Sequence, residues 1–104
     1  MLGLGAPGNY SEIILNFCKM AMFYVYVLYN EQTKELYKGF TKNLKLRFEQ
    51  HLHRQVKSTK GWTSIELIYY EACRNVGDAR TREKYFKTYY GIMYLKKRLK
   101  SYFT

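Results

Sequence analysis

Eight carboxylates make up the whole acidic inventory of the chain: Glu12, Glu31, Glu35, Glu49, Glu66, Glu71, Asp78 and Glu83. No two of them pair in adjacent helical turns. They therefore supply neither the converging carboxylates of a two-metal site nor the two facing acids of a glycosidase. Gly3 and Gly5 have no strand before them and no Lys-Ser/Thr after them, so a phosphate-cradling loop is missing too. What remains is a set of polar residues set against apolar stripes. On a helix turning about 100° per residue from Leu44, Phe48 and Leu52 fall at about 40° and 80°, while Arg47 and His51 flank that stripe at about 300° and 340°. On a second helix started at Ala79, Phe86 and Tyr90 mark the inward face and Glu83 falls at about 40° beside them. A buried, unpaired carboxylate is expensive, so Glu83 calls for an ion-pair partner, Arg47 being one, or a divalent cation, unless the helix phase differs from this one. Arg47 and His51 read either as a snorkelling arginine and a hydrogen-bonded histidine or as groups that reach a groove beside the sheet. Most of the 12 tyrosines read as core or interface residues with one polar tip. One of them acts as a base only if positive charge draws its pKa down from about 10.

The charge balance points to a partner. Lys and Arg number 18 against 8 acids, a net charge of +10. Residues 1–21 hold one acid, Glu12, and one base, Lys19, so the excess lies entirely in residues 22–104. The bases cluster at Lys42-Asn-Leu-Lys-Leu-Arg47, at Lys57 and Lys60, at Arg80-Thr-Arg82-Glu-Lys84 with Lys87, and at Lys96-Lys-Arg98 with Lys100. A phosphate backbone is the partner such an imbalance fits, with strongly salt-dependent binding; a membrane surface fits it less well. Two isolated cysteines, Cys18 and Cys73, form no metal-binding or disulfide pattern, so a reducing cytoplasmic setting is expected.

These side chains must be held by a small framework. At 104 residues, with 47% hydrophobic and 18% aromatic content, the chain suits one globular domain and not a disordered segment. Phe23–Tyr29 is β-branched and aromatic on both alternating faces, the pattern of a central strand buried on two sides. Asn30–Lys34 is turn material and Glu35–Phe40 a second strand, so a hairpin is expected. Asn43 caps a helix running to about Gln55, Lys57–Gly61 is a loop, and Ile65–Glu71 is a third strand. Asp78 caps a helix through Tyr90, Gly91 breaks it, and Ile92–Leu99 forms a basic terminal helix. The order β-β-α-β-α-α predicts an α+β domain in which helices flank a small three-stranded antiparallel sheet. Residues 1–21 are expected to be an extension outside the 22–104 domain. They read as a frayed tail, with Met20 or Met22 as the natural start, or as a short helix packed on the domain. Ile13–Leu15 is too short to cross a bilayer, and no basic stretch before it suggests a secretion signal.

Five elements in order give this sequence a family likeness. It resembles the GIY-YIG nuclease domain, in particular short stand-alone bacterial proteins related to the nuclease domain of the excision-repair incision enzyme. Tyr24-Val25-Tyr26 stands in the GIY position and Tyr37-Lys38-Gly39 in the YIG position. Thr41-Lys-Asn-Leu-Lys-Leu-Arg47 followed by His51 resembles the family's first helix, Lys57-Ser-Thr-Lys-Gly its loop, and Ala79-Arg-Thr-Arg-Glu83 its Ala-x-x-x-Glu signature. The likeness covers about Phe23 to about Leu99. It implies a DNA endonuclease of the repair type, with RNA as a second candidate substrate, in which Tyr26, Tyr37 and His51 surround the scissile phosphate and one of them activates water. Arg47 is then the charge stabiliser and Glu83 the anchor of one Mg²⁺ or Mn²⁺, while Lys38, Lys42, Lys57, Lys60, Arg80, Lys84 and Lys87 are the expected nucleic-acid contacts. Two rival roles share that fold: a catalytically weak nucleic-acid-binding module and a subunit that assembles with a partner nuclease. Two departures stand out: Lys38 replaces an apolar residue, and Lys96-Lys-Arg98 occupies the region where many members carry Asn.

Overall fold

A computed structural model describes residues 10–15 and 20–104. Residues 10–15 are helical (α1), and the side chains of Ile13, Ile14 and Leu15 are about half exposed. The expectation of a tail or a packed helix over the other residues of 1–19 lies outside the described residues. Then follow β1 (Phe23–Asn30), β2 (Glu35–Thr41), α2 (Leu44–Leu52), β3 (Glu66–Cys73), α3 (Val76–Phe86), α4 (Tyr89–Arg98) and the short α5 (Lys100–Phe103). The three strands form one antiparallel sheet in the order β2-β1-β3. The α+β class and the β-β-α-β-α-α order are as the sequence predicts.

β1 is central because its residues suit burial on both faces: Val25 to Asn30 are all buried. Alternation sends Val25 and Val27 to one face, where Ala79 and Phe86 of α3 and Leu95 of α4 close a core. The opposite face carries Tyr24, Tyr26 and Leu28. The hairpin register sets Tyr26 against Gly39, and the Tyr26 ring lies where a β-carbon on residue 39 would sit. Only glycine leaves that ring its place. A register shift in β3 opposite Val27 and Leu28 skips Ile68, which brings Tyr69 and Glu71 opposite Val27 and Val25.

Three boundaries differ from the sequence reading, each for a local reason. α2 stops at Leu52, not near Gln55, because His53 closes it and Arg54 takes a left-handed φ of 61°. Its Asn43 cap is as expected, the side chain accepting from the Leu46 N–H. α3 is capped by Asn75, whose Oδ1 accepts from the N–H groups of Gly77 and Asp78, so Asp78 sits in the first turn and is not the cap. The break after α3 falls at Lys87–Thr88 and not at Gly91. Thr88 caps α4 by accepting from the Gly91 N–H at 3.1 Å, and Gly91 lies within that helix. Gly91 is glycine because a β-carbon there would collide with the Tyr85 carbonyl. Tyr90, placed inward by the longer helix, is 74% exposed.

α2 is also rotated from its expected setting. His51 is fully buried, while Leu52 is 48% exposed. The polar edge of the predicted stripe is the true inward line of this helix. Hydrogen bonding makes that possible, because a buried imidazole with both nitrogens satisfied loses little relative to water.

Candidate active site

The hydroxyl of Tyr26, from the middle of β1, lies 2.8 Å from Nε2 of His51 on α2. Nδ1 of the same ring lies 2.7 Å from Oγ1 of Thr59, in the loop between α2 and β3. Arg47, one turn before His51, donates from Nε to the Tyr26 oxygen at 3.4 Å and from NH1 to Gln50 Oε1 at 3.0 Å. Tyr37 of β2 completes the group, its ring centroid 5.1 Å from that of His51 and 6.1 Å from that of Tyr26. Strand pairing explains the convergence, since Tyr37 opposes Leu28 and so shares the Tyr26 face. Tyr26 and His51 are at most 1% exposed, whereas Tyr37 and Arg47 are partly open to solvent. The cluster therefore has a buried Tyr26–His51 pair and an accessible rim.

Burial sets the protonation states. Tyr26 is pushed up to about 12, mainly by loss of hydration, with the Arg47 guanidinium opposing the rise. His51 is pushed down to about 4 by burial first and by the Arg47 charge second. At neutral pH the pair is therefore a neutral phenol against a neutral imidazole. Arg47 is held more firmly cationic by its hydrogen bond to Tyr26.

Glu83 takes a different position. Its side chain is 15% exposed and pairs with Lys87 at 3.3 Å and Arg80 at 3.7 Å. Arg47, the partner considered from sequence, is engaged by Tyr26 and Gln50 instead. The Arg80 guanidinium lies 4.1 Å from the centre of the Phe40 ring. Lys38, half-buried, is shifted below its ordinary value by burial and then by the nearby Lys87 charge. Lys38 and Phe40 oppose Val27 and Val25. Glu83 thus lies on the helical face of the sheet, where its partner Arg80 rests on Phe40 of edge strand β2, and the tyrosine–histidine cluster lies on the other face. Among the other expected phosphate contacts, Lys42, Lys57, Lys60 and Lys84 are exposed. Lys42 also borders a groove of about 440 Å³ with Tyr24, Leu44, Phe48 and Tyr70, beside the cluster.

Among the described residues no three His, Cys, Asp or Glu side chains converge as a metal cage. Glu71 is already committed. Burial raises its pKa, but hydrogen bonds from Arg82 at 2.9 and 3.0 Å and from Tyr69 at 2.8 Å outweigh that and leave it below the usual carboxylate range. Glu83 has only flexible i+4 and i−3 partners to release. One carboxylate released from such partners would suit Mg²⁺, which takes one or two carboxylates and fills its shell from water and substrate phosphate.

Thr59, Gln50 and the Glu71–Arg82 pair escaped the sequence reading. Arg82 lies 4.6–5.2 Å from the ring centres of Tyr85, Phe86 and Tyr94, so its charge is locked into the fold. Thr59 stands in a loop with no periodicity; the family-like Lys57-Ser-Thr-Lys-Gly segment was the only signal near it.

A tyrosine pair from a β-hairpin, an Arg/His helix edge and an acid on the next helix are the features this small α+β domain presents. The chain belongs to the GIY-YIG family: residues 22–94 match the GIY-YIG catalytic domain. It is 37% identical over 67 residues to a UPF0213 protein of Clostridium perfringens, covering 64% of this chain and 71% of that protein. A UPF0213 protein of Pediococcus pentosaceus is 42% identical over 66 residues, covering 62% and 68%. No solved structure matches the chain at comparable stringency. The family is one of nucleases, generally metal-dependent, and implies a nucleic-acid substrate. Among the described residues no helix is long and apolar enough to cross a membrane.

Proposed function

We propose that this chain is a metal-dependent endonuclease that hydrolyses DNA phosphodiester bonds with water as the nucleophile. The observation that carries the reading is the buried Tyr26–His51 hydrogen bond beneath a rim of Arg47 and Tyr37, within a GIY-YIG domain. Arg47 faces the phosphate and stabilises the negative charge that grows on its oxygens, a contribution of the kind that usually dominates. Tyr37 lies beside it and orients the phosphate and the attacking water. His51, neutral and with a lone pair, takes the proton of the reaction through the Tyr26 hydroxyl. Glu83 holds one Mg²⁺ or Mn²⁺, which when bound polarises the phosphoryl group. Lys38, Lys42, Lys57, Lys60, Arg80, Lys84 and Lys87 supply phosphate contacts, with Arg80 and Lys87 turning from Glu83 to DNA.

The test incubates the protein with labelled single-stranded, duplex and flap DNA in Mg²⁺, Mn²⁺ or chelator. Nicking that needs a divalent ion is expected. It should fall about 10²–10³-fold in Arg47→Ala, as when one transition-state charge contact is removed, and be lost in Glu83→Ala while both proteins stay folded. Salt-sensitive DNA retention without cleavage, identical in wild type and Glu83→Ala, would replace the enzyme with a binding module. A stable heteromeric complex with little DNA affinity would replace it with a partner subunit.

A further inference from the structure

His51 Nε2 and Arg47 Nε lie within hydrogen-bond distance of the buried Tyr26 hydroxyl, and Tyr37 neighbours it as well. A guanidinium has donors and no lone pair. On the nuclease reading the phenolic proton passes to Nε2, which must be unprotonated to accept it. In a neutral imidazole the hydrogen then resides on Nδ1, and its acceptor is Thr59 Oγ1 at 2.7 Å. A relay from Tyr26 to His51 needs this one tautomer, and its far end rests on a residue outside the helices and strands. We propose that Thr59 is a positioning residue: its hydroxyl holds His51 in the Nδ1–H tautomer so that Nε2 stays open to the Tyr26 proton.

Thr59 is built for this. It is fully buried, and both of its backbone groups are fixed: its N–H donates to the Val56 carbonyl at 3.1 Å and its carbonyl accepts from the Trp62 N–H at 2.9 Å. Val56 is buried too, while Lys57 and Lys60 on the same turn face solvent. The loop thus presents two lysines outward and one hydroxyl inward. The groups facing the His51 ring are Tyr26 from β1, Tyr37 from β2, Arg47 from its own helix and Thr59 from the loop. Of these only the Thr59 hydroxyl contacts Nδ1. Resting on the nuclease reading, the step runs as follows. Water gives a proton to the Tyr26 oxygen as Tyr26 gives its own to His51 Nε2; the hydroxide adds to phosphorus as the bond to the leaving sugar oxygen breaks, and that oxygen takes a proton from solvent water. Tyr26 ends neutral and His51 ends as an imidazolium whose Nδ1–H still binds Thr59. In the other tautomer Nε2 carries a hydrogen and has no lone pair for that proton.

The test pairs a spectrum with kinetics. Nitrogen-15 NMR of the imidazoles should show His51 as the Nδ1–H tautomer in wild type and Thr59→Ser, and a mixed or Nε2–H form in Thr59→Val. In the cleavage assay Thr59→Val should lose about 10–100-fold in kcat, the range seen when the partner orienting a histidine is removed. KM should stay within about twofold, and Thr59→Ser should restore the rate. An Nε2–H tautomer in wild type overturns the proposal even if Thr59→Val does not fold. Wild-type kcat in a folded Thr59→Val overturns it while leaving the nuclease intact. If the wild type cuts no DNA, the nuclease reading fails, and the spectra still decide whether Thr59 sets the tautomer.

Discussion

The two faces of the central strand are built on opposite principles, although their residues alternate along one segment. Val25 and Val27 point into an apolar core with Phe86 and Leu95, where burial is stabilising in itself. Tyr26, between them, points to the face of Leu28, His51 and Thr59, all fully buried, where the three polar side chains are hydrogen-bonded to one another. That second face gains little from its polar groups and depends on each being satisfied. One strand thus carries an apolar, stabilising face and a face whose buried polar groups depend on one another. Damage to the first should lower the population of folded molecules; damage to the second should change what each folded molecule does.

The largest stability effect belongs to the apolar face. Phe86→Ala empties the centre of the core between β1, α3 and α4, and should cost about 3–5 kcal/mol. Urea denaturation gives the loss. At low temperature, cleavage per folded molecule should equal wild type. A drop in kcat beyond the folded fraction would show that the two faces communicate.

The polar face should reveal itself through pH. The folded-state pKa of His51, about 4, lies below its ordinary 6.5. Between those values the unfolded chain binds a proton that the folded chain refuses, so stability rises with pH across this window. It is complete above about 6.5 and falls as pH drops toward 4, by up to about 3 kcal/mol. Glu71, held below the usual carboxylate range, adds a loss of the same sign at lower pH, but it is present in any His51 variant and cancels in a difference. In His51→Gln the slope between pH 4 and 6.5 should flatten relative to wild type. Parallel stability curves for the two proteins would mean that the imidazole is not kept neutral by burial.

Much of this division was legible in the amino-acid order. Phe23–Tyr29 announced a strand buried on both faces, Asn30–Lys34 its turn, and Asn43 the start of α2. The five family elements brought forward Tyr26, Tyr37, Arg47 and His51, and the structure gathers those four side chains at one place. What could not be read is what depends on close approach or on partners distant in sequence. Gly91 looks like a helix breaker and is a spacer for the Tyr85 carbonyl. Glu83 looked suited to Arg47, yet it finds Arg80 and Lys87 on its own helix side. Thr59 is eight residues from His51 across an irregular loop, beyond the reach of any periodicity argument.

The phase of α2 gives the smallest and sharpest test of the comparison. A helical wheel assumes that apolar side chains mark the buried line, and here that assumption puts Leu52 inside and His51 at the edge. The fold reverses them because Tyr26 and Thr59 offer the imidazole two hydrogen bonds that no leucine can use, while Leu52 is left 48% exposed. Leu52→Gln should therefore change stability by no more than about 0.5 kcal/mol, the range of an ordinary surface substitution, and leave kcat unaltered. The same exchange at the neighbouring position, His51→Gln, should change both the pH slope and the rate. A loss of 2 kcal/mol or more at Leu52, roughly the cost of deleting a packed leucine, would restore the apolar stripe and turn the imidazole away from Tyr26. The polar face would then have no buried proton acceptor.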